Sequence, residues 1–375
     1  MWRVPLADVK LSPQDIRAVV ETYRSGWLSM GPRTEELESA FARYVGAKHA
    51  FAVANGTAAL HLACVACGLG PGDRVAAPSL TFVATVNGIA YTGAEPAFGD
   101  IEGLTKPWLA PASVDDSSQA VMFVSYGGNP GALPEIAARA KERSVPLIED
   151  AAHALGTRVN GRHAGTFGTV GAFSLFANKN LPVGEGGMVV TDDDDVAQRI
   201  KLSRSHGMTT LTWDRHQGHA SSYDVVALGF NYRLDEPRAA LALSLLSELD
   251  DANAKRRSLV QEYRDALVDI EGLSLLEPAA PDVVDSAHLF AVVLDPEIDR
   301  SVFRASLTEV GVQTSVHYPP VHRFSIYSHL GAELPLTDSY ASRTVTLPLF
   351  PHMTQEQLAH VVSSLRPALQ SARRR

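Results

Sequence analysis

The sequence predicts an α/β fold built on a mostly parallel sheet, and three observations carry that prediction. From residue 50 to 190, short apolar runs alternate with stretches of helical spacing, and parallel neighbours require such crossovers. Glycine-rich or acid-tipped turns close several of those runs, at the strand ends where α/β sheets gather ligands. Near Asp250 an Ala/Leu-rich segment gives way to a charged one. We therefore divide the chain into a large domain, residues 1–249, and a small C-terminal α+β domain, residues 250–375.

Taken in order, Ser12 suits an N-cap, Pro13 the first helical position and Gly26 a C-terminal stop, which bounds a helix over 13–24. A loop through Trp27 and Pro32 leads to a second helix over 33–44. Trp27 is equally readable as packing or as the rim of a site. A strand over 50–54 meets a Gly-Thr turn and a helix beginning near Ala58. Strand 74–77, helix 84–91, strands 96–99 and 119–126, helix 133–143 and strand 146–149 follow. Strands 171–176 and 187–190 flank a polar turn, and Asp192 to Asp195 precede a helix over 196–203, complementing its positive end. Beyond Pro237 come an Ala/Leu-rich helix over 238–249, a charged helix to about 267, strands 288–294 and 314–317, and helices 301–310 and 355–365. Thr354 with Gln357 forms a capping box, and Arg373 to Arg375 read as a frayed tail.

Composition excludes several classes. With 33 basic and 42 acidic residues the formal charge is −9, which argues against a nucleic-acid partner. No run of ~18 apolar residues occurs, and the opening Met1-Trp-Arg-Val-Pro-Leu is too short for a signal peptide. The only cysteines, Cys64 and Cys67, lie three apart on one helical face among Ala and Leu, so they read as core rather than redox pair and suit a reducing cytoplasm. Zinc ligation by His206, His216 and His219 is conceivable, but no cysteine or carboxylate stands at metal spacing, so no metal is expected.

Three segments carry chemistry. Lys179 sits in the turn between two apolar strands, beside Gly184-Glu-Gly-Gly187. A lysine in a turn is ordinarily a solvated charge. Among close-packed glycines it can lose water, its pKa then falls, and it becomes an amine nucleophile suited to Schiff-base chemistry. Asp150 tips the strand 29 residues upstream, where it could hold a pyridine nitrogen protonated or simply cap the next turn. At Gly56-Thr57 a helix N-terminus offers free amides beside a hydroxyl, a phosphate site in many proteins and an ordinary helix start in others. The order phosphate turn, acid-tipped strand, lysine turn is more specific than any one part. No G-x-G-x-x-G follows the first strand, which weakens a dinucleotide reading.

These residues belong to longer motifs: Asn55-Gly-Thr-Ala-Ala-Leu60, Pro78-Ser-Leu-Thr-Phe-Val-Ala-Thr85, Ile148-Glu-Asp-Ala-Ala-His153, Phe173-Ser174, Lys179-Asn180, Gly184-Glu-Gly-Gly187, Gly229-Phe-Asn-Tyr-Arg233 and His317-Tyr-Pro-Pro-Val-His322. In this order they resemble the DegT/DnrJ/EryC1/StrS sugar aminotransferases, pyridoxal 5'-phosphate (PLP) enzymes of aspartate aminotransferase fold type I. The resemblance runs from Ser25 to Pro351 and implies a seven-stranded-type sheet in the large domain. It implies that Lys179 bonds the cofactor and shuttles the proton, and that Asp150 pairs with the ring nitrogen. His153 would lie by the ring hydroxyl and Phe82 on the ring face. Gly56, Thr57 and Ser174 would hold the phosphate, with Asn231 reaching it from the partner subunit of a homodimer. Asn55, where Ser is commoner, and Phe123-Val-Ser-Tyr-Gly127 depart from the family's usual residues.

The implied activity is transfer of an amino group from L-glutamate to a nucleotide-linked keto-deoxysugar, first a TDP-4-keto-6-deoxyhexose, in secondary-metabolite or polysaccharide biosynthesis. A 3-keto-sugar or an aminocyclitol ketone (inosose) is the alternative acceptor. The resemblance implies that the segment from His317 and Tyr318 to His322 faces the substrate, although turn chemistry alone would explain its prolines, and the two readings weigh evenly for each histidine. Arg215, Arg233 and Arg323 are candidate partners for a diphosphate. A PLP-dependent sugar dehydratase of the same fold has histidine in place of the lysine, and a non-catalytic sugar-binding relative need not keep lysine, acid and phosphate turn together.

Overall fold

The protein is described here from a computed structural model that covers residues 2–374 apart from 211–212, 214–217 and 219–221. A seven-stranded sheet forms its centre. In spatial order the strands are His49–Val53, Gly187–Thr191, Val170–Ser174, Leu147–Asp150, Ala120–Val124, Arg74–Pro78 and Glu95–Gly99. Gly187–Thr191 runs antiparallel to both of its neighbours, and the remaining pairings are parallel. The sheet is thus mixed but mostly parallel, as expected for fold type I. Register matters for function here: Asp150 lies opposite Val124 on one side and Ala172 on the other. The carboxyl ends of Leu147–Asp150 and Ala120–Val124 are therefore level, and Val170–Ser174 runs two residues further along the same edge.

Helices cover both faces, as the continuously apolar strands require. On one face, Leu37, Phe41, Ile136 and Ala239 pack with Phe123, Phe173 and Met188. On the other, Leu60, Leu62, Ile89 and Ile200 pack with Val75, Ile148 and Val189. Cys64 is buried in this second core and both cysteines are free. Burial pushes the Cys67 thiol up to about 12 and Cys64 also upward.

A second, three-stranded antiparallel sheet joins Leu273–Leu275, Phe290–Leu294 and Thr344–Leu347. Helices Leu249–Leu267, Arg300–Glu309 and Gln355–Ala372 close its core with Tyr263, Phe303, Leu307 and Leu365. Val4, from the other end of the chain, is buried in this same core and bridges Val312.

Helix starts follow their caps. Ser12 and Asp15 form a reciprocal capping box and Gly26 closes that helix at φ 77°. Thr354 and Gln357 do the same for Gln355–Ala372, and Asp193 caps Asp194–Arg204. Elsewhere local pattern misleads. The expected strand over 314–317 reduces to one bridge, Ser315 to Thr346, because the strand paired with Phe290–Leu294 is Thr344–Leu347. The Ala/Leu-rich helix ends at Leu246, and a separate one starts at Leu249. The basic tail is not frayed at Arg373 and Arg374: Arg373 bridges Ile298 and the Arg374 amide donates to the Glu297 carbonyl at 2.8 Å.

Candidate active site

A cavity of about 450 Å³ opens at the carboxyl edge of the large sheet. Its wall includes Gly56, Thr57, Phe82, Asp150, His153, Ser174, Lys179, His317 and Tyr318. Nine residues singled out from sequence, spread from position 56 to 318, thus meet around one space.

The phosphate turn is built by close approach. Helix Gly56–Ala66 starts against the end of strand Val170–Ser174, and a Cβ on Gly56 would come within 2.8 Å of Ser174 Cβ. Gly187 is confined in the same way, its Cβ position lying 2.5 Å from the Asn55 carbonyl oxygen. Asn55 Oδ1 accepts from the Ala58 amide at 2.8 Å and the Asn55 carbonyl accepts from Ala59. That leaves the Gly56 and Thr57 amides, at the positive end of the helix and in residues that line the cavity, without a partner among the described residues. Free amides at a helix start suit a phosphate.

Asp150 ends its strand inside the protein, 6% exposed. Its Oδ2 accepts from the Thr85 hydroxyl at 2.6 Å, and its Oδ1 from the Ala152 amide at 3.1 Å. Because Thr85 donates to the carboxylate, its remaining 2.6 Å contact must be accepted from Thr81. Burial pushes the Asp150 carboxyl upward, against the pull of Thr85, the Ala152 amide and the Lys179 charge. The group both caps the turn and faces the cavity. A buried carboxylate of raised proton affinity has a use for a cation or a protonated ring nitrogen.

Lys179 follows Ser174 by one short turn, its amide donating to the Phe176 carbonyl at 2.8 Å. Burial of its ammonium lowers it to about 8, only partly offset by Asp150. About a tenth of the amine is therefore neutral and nucleophilic at pH 7, far more than for an ordinary lysine.

His153 completes the far wall. Its Nδ1 accepts from the Gly127 amide at 3.2 Å, so the ring proton sits on Nε2 and donates to Tyr318 Oη at 3.0 Å. Tyr318 keeps its own proton to offer elsewhere. Burial, Lys179 and His317 hold His153 neutral, far below the usual histidine range. His317 is lowered to about 4 by burial and by Lys179. Phe82 lies exposed at the rim, its ring 5.9 Å from that of Tyr318.

The segment bearing His317 and Tyr318 is fixed at both ends. His317 Nδ1 contacts Thr346 Oγ1 at 2.8 Å and its carbonyl accepts from Tyr126, which accepts in turn from Tyr340. His322 turns away from the cavity and is buried, with Nδ1 2.7 Å from Ser79 Oγ and Nε2 3.3 Å from Asp338. Of the two histidines, only His317 reaches the cavity.

Other sequence candidates lie elsewhere. Asn231 is exposed, bridges Ser205 and does not line this cavity. Arg233 bridges Val53 and donates to Ser205 Oγ at 3.0 Å, outside the cavity. Arg323 is exposed and paired with Asp338. Arg215, His216 and His219 lie outside the described residues, among which no group of His, Cys, Asp or Glu gathers to hold a metal ion. Trp27 packs at 4.7 Å from Trp213, away from the cavity. Sequence reasoning assigned nothing to Thr85, Phe176, Asn178 or Glu185, which also line the cavity. Thr85 had a signal, one helical turn beyond Phe82 and closing the same motif.

PLP fits these residues. The cavity presents a helix start where the backbone at Gly56 packs too closely on Ser174 to admit a Cβ, a buried acid, and a desolvated amine.

Comparison with known proteins points the same way. The sequence profile of the DegT/DnrJ/EryC1/StrS aminotransferase family matches residues 10–366. The chain is 38% identical to the spore coat polysaccharide biosynthesis protein SpsC of Bacillus subtilis (strain 168), with 96% of each chain covered. Among solved structures it resembles the aminotransferase TlmJ from Streptoalloteichus hindustanus, with TM-score 0.91, 32% identity, and 98% of this chain and 99% of that one covered. S. venezuelae DesV, solved in complex with a ketimine intermediate, superposes with TM-score 0.89 at 32% identity over 98% of each chain. No helix among the described residues is long and apolar enough to cross a membrane.

Proposed function

We propose an acceptor, an amino donor and an assembly for this chain, which belongs to the DegT/DnrJ/EryC1/StrS aminotransferase family and is a PLP-dependent sugar aminotransferase. The acceptor is a nucleotide-linked keto-deoxysugar, in the first place a TDP-4-keto-6-deoxyhexose, and the donor is L-glutamate. The products are the amino-sugar and 2-oxoglutarate. The enzyme works in the cytoplasm as a homodimer whose two sites each draw on both chains.

The observation that carries this reading is the convergence of Lys179, Asp150 and the unpartnered Gly56 and Thr57 amides on one cavity. When bound, PLP supplies an aldehyde carbon for a primary amine and a ring that withdraws electrons from the reacting carbon. Asp150 Oδ would hold the ring nitrogen protonated, and Thr85 and Ala152 keep that carboxylate from turning away. Lys179 Nζ would bond the cofactor at rest and then carry the proton from the donor's α-carbon. Gly56, Thr57 and Ser174 would grip the phosphate, Phe82 would cover the ring at the rim, and His153 would stand by its hydroxyl. Tyr318, whose oxygen is occupied by His153, has its hydroxyl proton for a sugar or carboxylate oxygen. The acceptor class is supported by the similarity to a spore coat polysaccharide biosynthesis protein.

The test loads the protein with pyridoxamine phosphate and offers 3-keto and 4-keto nucleotide sugars and free inososes, reading return of the pyridoxal form by absorbance. Return with a TDP-4-keto-6-deoxyhexose is expected. Return with inososes alone would overturn the nucleotide-sugar acceptor and leave aminotransfer intact. Lys179→Ala should hold the cofactor only non-covalently, so that borohydride no longer fixes it to the chain, and should not turn over. A fully active variant would remove Lys179 from the mechanism.

A further inference from the structure

The residue after Lys179 is held more firmly than the lysine turn itself. Ala177 and Asn178 are exposed, and the turn is closed locally by backbone bonds from Lys179 to Phe176 and from Ala177 to Gly184. The Asn180 carboxamide, by contrast, uses both of its N–H groups and its oxygen. Nδ2 donates to Asn253 Oδ1 at 2.7 Å and to the Ser286 carbonyl at 2.8 Å. Since that edge of the amide faces two acceptors, Oδ1 must accept from His288 Nδ1, 2.8 Å away, which places the His288 proton on Nδ1.

Each partner is itself anchored. Asn253, in helix Leu249–Leu267, is buried and donates to the Leu155 carbonyl at 3.0 Å. Ser286 Oγ donates to the His153 carbonyl at 2.7 Å, and the Ser286 amide donates to Thr157 Oγ1 at 3.1 Å. The His288 ring is buried and packs against that of His153, with centroids 4.4 Å apart and planes tilted by 34°. The lysine turn is thereby joined to the cavity wall and to the segments entering the second sheet. Breaking one bond leaves a buried amide or imidazole group unsatisfied, so the arrangement resists drift.

We infer that Asn180 is a positioning residue for Lys179, clamped by Asn253, Ser286 and His288 so that the amine is presented at one place in the cavity. The inference rests on the reading that Lys179 bonds the cofactor. Asp150, His153, His288 and His317 are the titratable groups that interact electrostatically with Lys179. None of them belongs to the exposed part of the turn, so the lysine's surroundings depend on where Asn180 holds it.

The test uses the full-length chain in four forms: wild type, Asn180→Ala, His288→Phe and His288→Asn. His288→Phe keeps an aromatic ring against His153 but has no proton for Asn180. The side-chain amide introduced by His288→Asn, in contrast, can donate from near the Nδ1 position. First, competitive acylation of Lys179 in cofactor-free protein is followed against pH by peptide mass. Wild type and His288→Asn should titrate near 8, and Asn180→Ala and His288→Phe should move up by about one unit as the amine regains water. Second, cofactor capture is timed by borohydride fixation at Lys179, and the two loosened variants should be slower by roughly 10- to 100-fold. If Asn180→Ala does not fold, His288→Phe carries the comparison. Wild-type acylation and capture in both loosened variants would overturn the clamp while leaving the lysine assignment intact. Fixation of wild type at another lysine would overturn the lysine assignment, and the clamp with it.

Discussion

At Asp150 burial and hydrogen bonding pull in opposite directions. Desolvation drives the carboxyl toward its neutral form, and the Thr85 hydroxyl, the Ala152 amide and Lys179 drive it back. Asp150→Asn keeps the shape but cannot hold a ring proton by charge. We expect α-proton removal from the donor to slow by ~10²–10⁴-fold, measured in single-turnover deamination. A near-normal rate would take Asp150 out of the ring-nitrogen role. Thr85→Val should act in the same direction and more weakly, since it removes one of two hydrogen bonds. For Lys179 the sign is fixed by its charge. Only the neutral amine attacks the aldehyde, so cofactor capture should rise about tenfold per pH unit below 8 and level off above it. A pH-independent rate from 6 to 9 would mean that the amine is neutral throughout or does not limit capture.

Among the elements, the helices show where local sequence suffices and where it does not. Asn55-Gly-Thr, the Asp150 strand and the Lys179 turn were legible because each is a contiguous signal: a cap, an acid-tipped apolar run, a glycine-dense turn. Thr344–Leu347 was not, since its four residues lie between a helix and Pro348 with no turn pattern to delimit them. Nor were contacts such as Asn180 to Asn253, which join residues 73 apart. Helix Pro32–Val45 is the plainest case. Its N-cap, Gly31, has no side chain to offer. Glu236, buried at the first position of helix Glu236–Leu246, takes over that task from 202 to 205 residues away. It accepts from the Gly31, Arg33 and Thr34 amides and the Thr34 hydroxyl at 2.7–2.9 Å. Glu236→Gln sets an amide N–H against these donors and should destabilise the chain by about 2–3 kcal/mol, read from the denaturant midpoint. No shift would mean that the two helices are held by apolar packing alone.

Taken as a whole, one chain supplies a cavity with lysine, acid and phosphate turn yet leaves a conspicuous surface uncovered. Tyr223, Val225 and Val226 are more than half exposed and Leu228 is 96% exposed, immediately before the exposed Asn231. Apolar side chains grouped in this way mark an interaction surface. The proposed homodimer accounts for both features if a second copy covers that segment and receives Asn231 at its own phosphate turn, where the Gly56 and Thr57 amides await an anion. Each working site then needs Lys179 from one chain and Asn231 from the other. Lys179→Ala is inactive by this reading, and an Asn231→Ala chain should be severely impaired through weak phosphate binding. When the two variants are unfolded and refolded together, about half of the reshuffled dimers, on random assortment, carry one site free of both substitutions. Activity should therefore return to roughly a quarter of the wild-type level, counting one intact site in two for those dimers. Recovery to this level, with exchange verified by tagged subunits, supports shared sites. No recovery despite verified exchange would mean that each chain builds its phosphate site alone, and that the exposed segment serves some other contact.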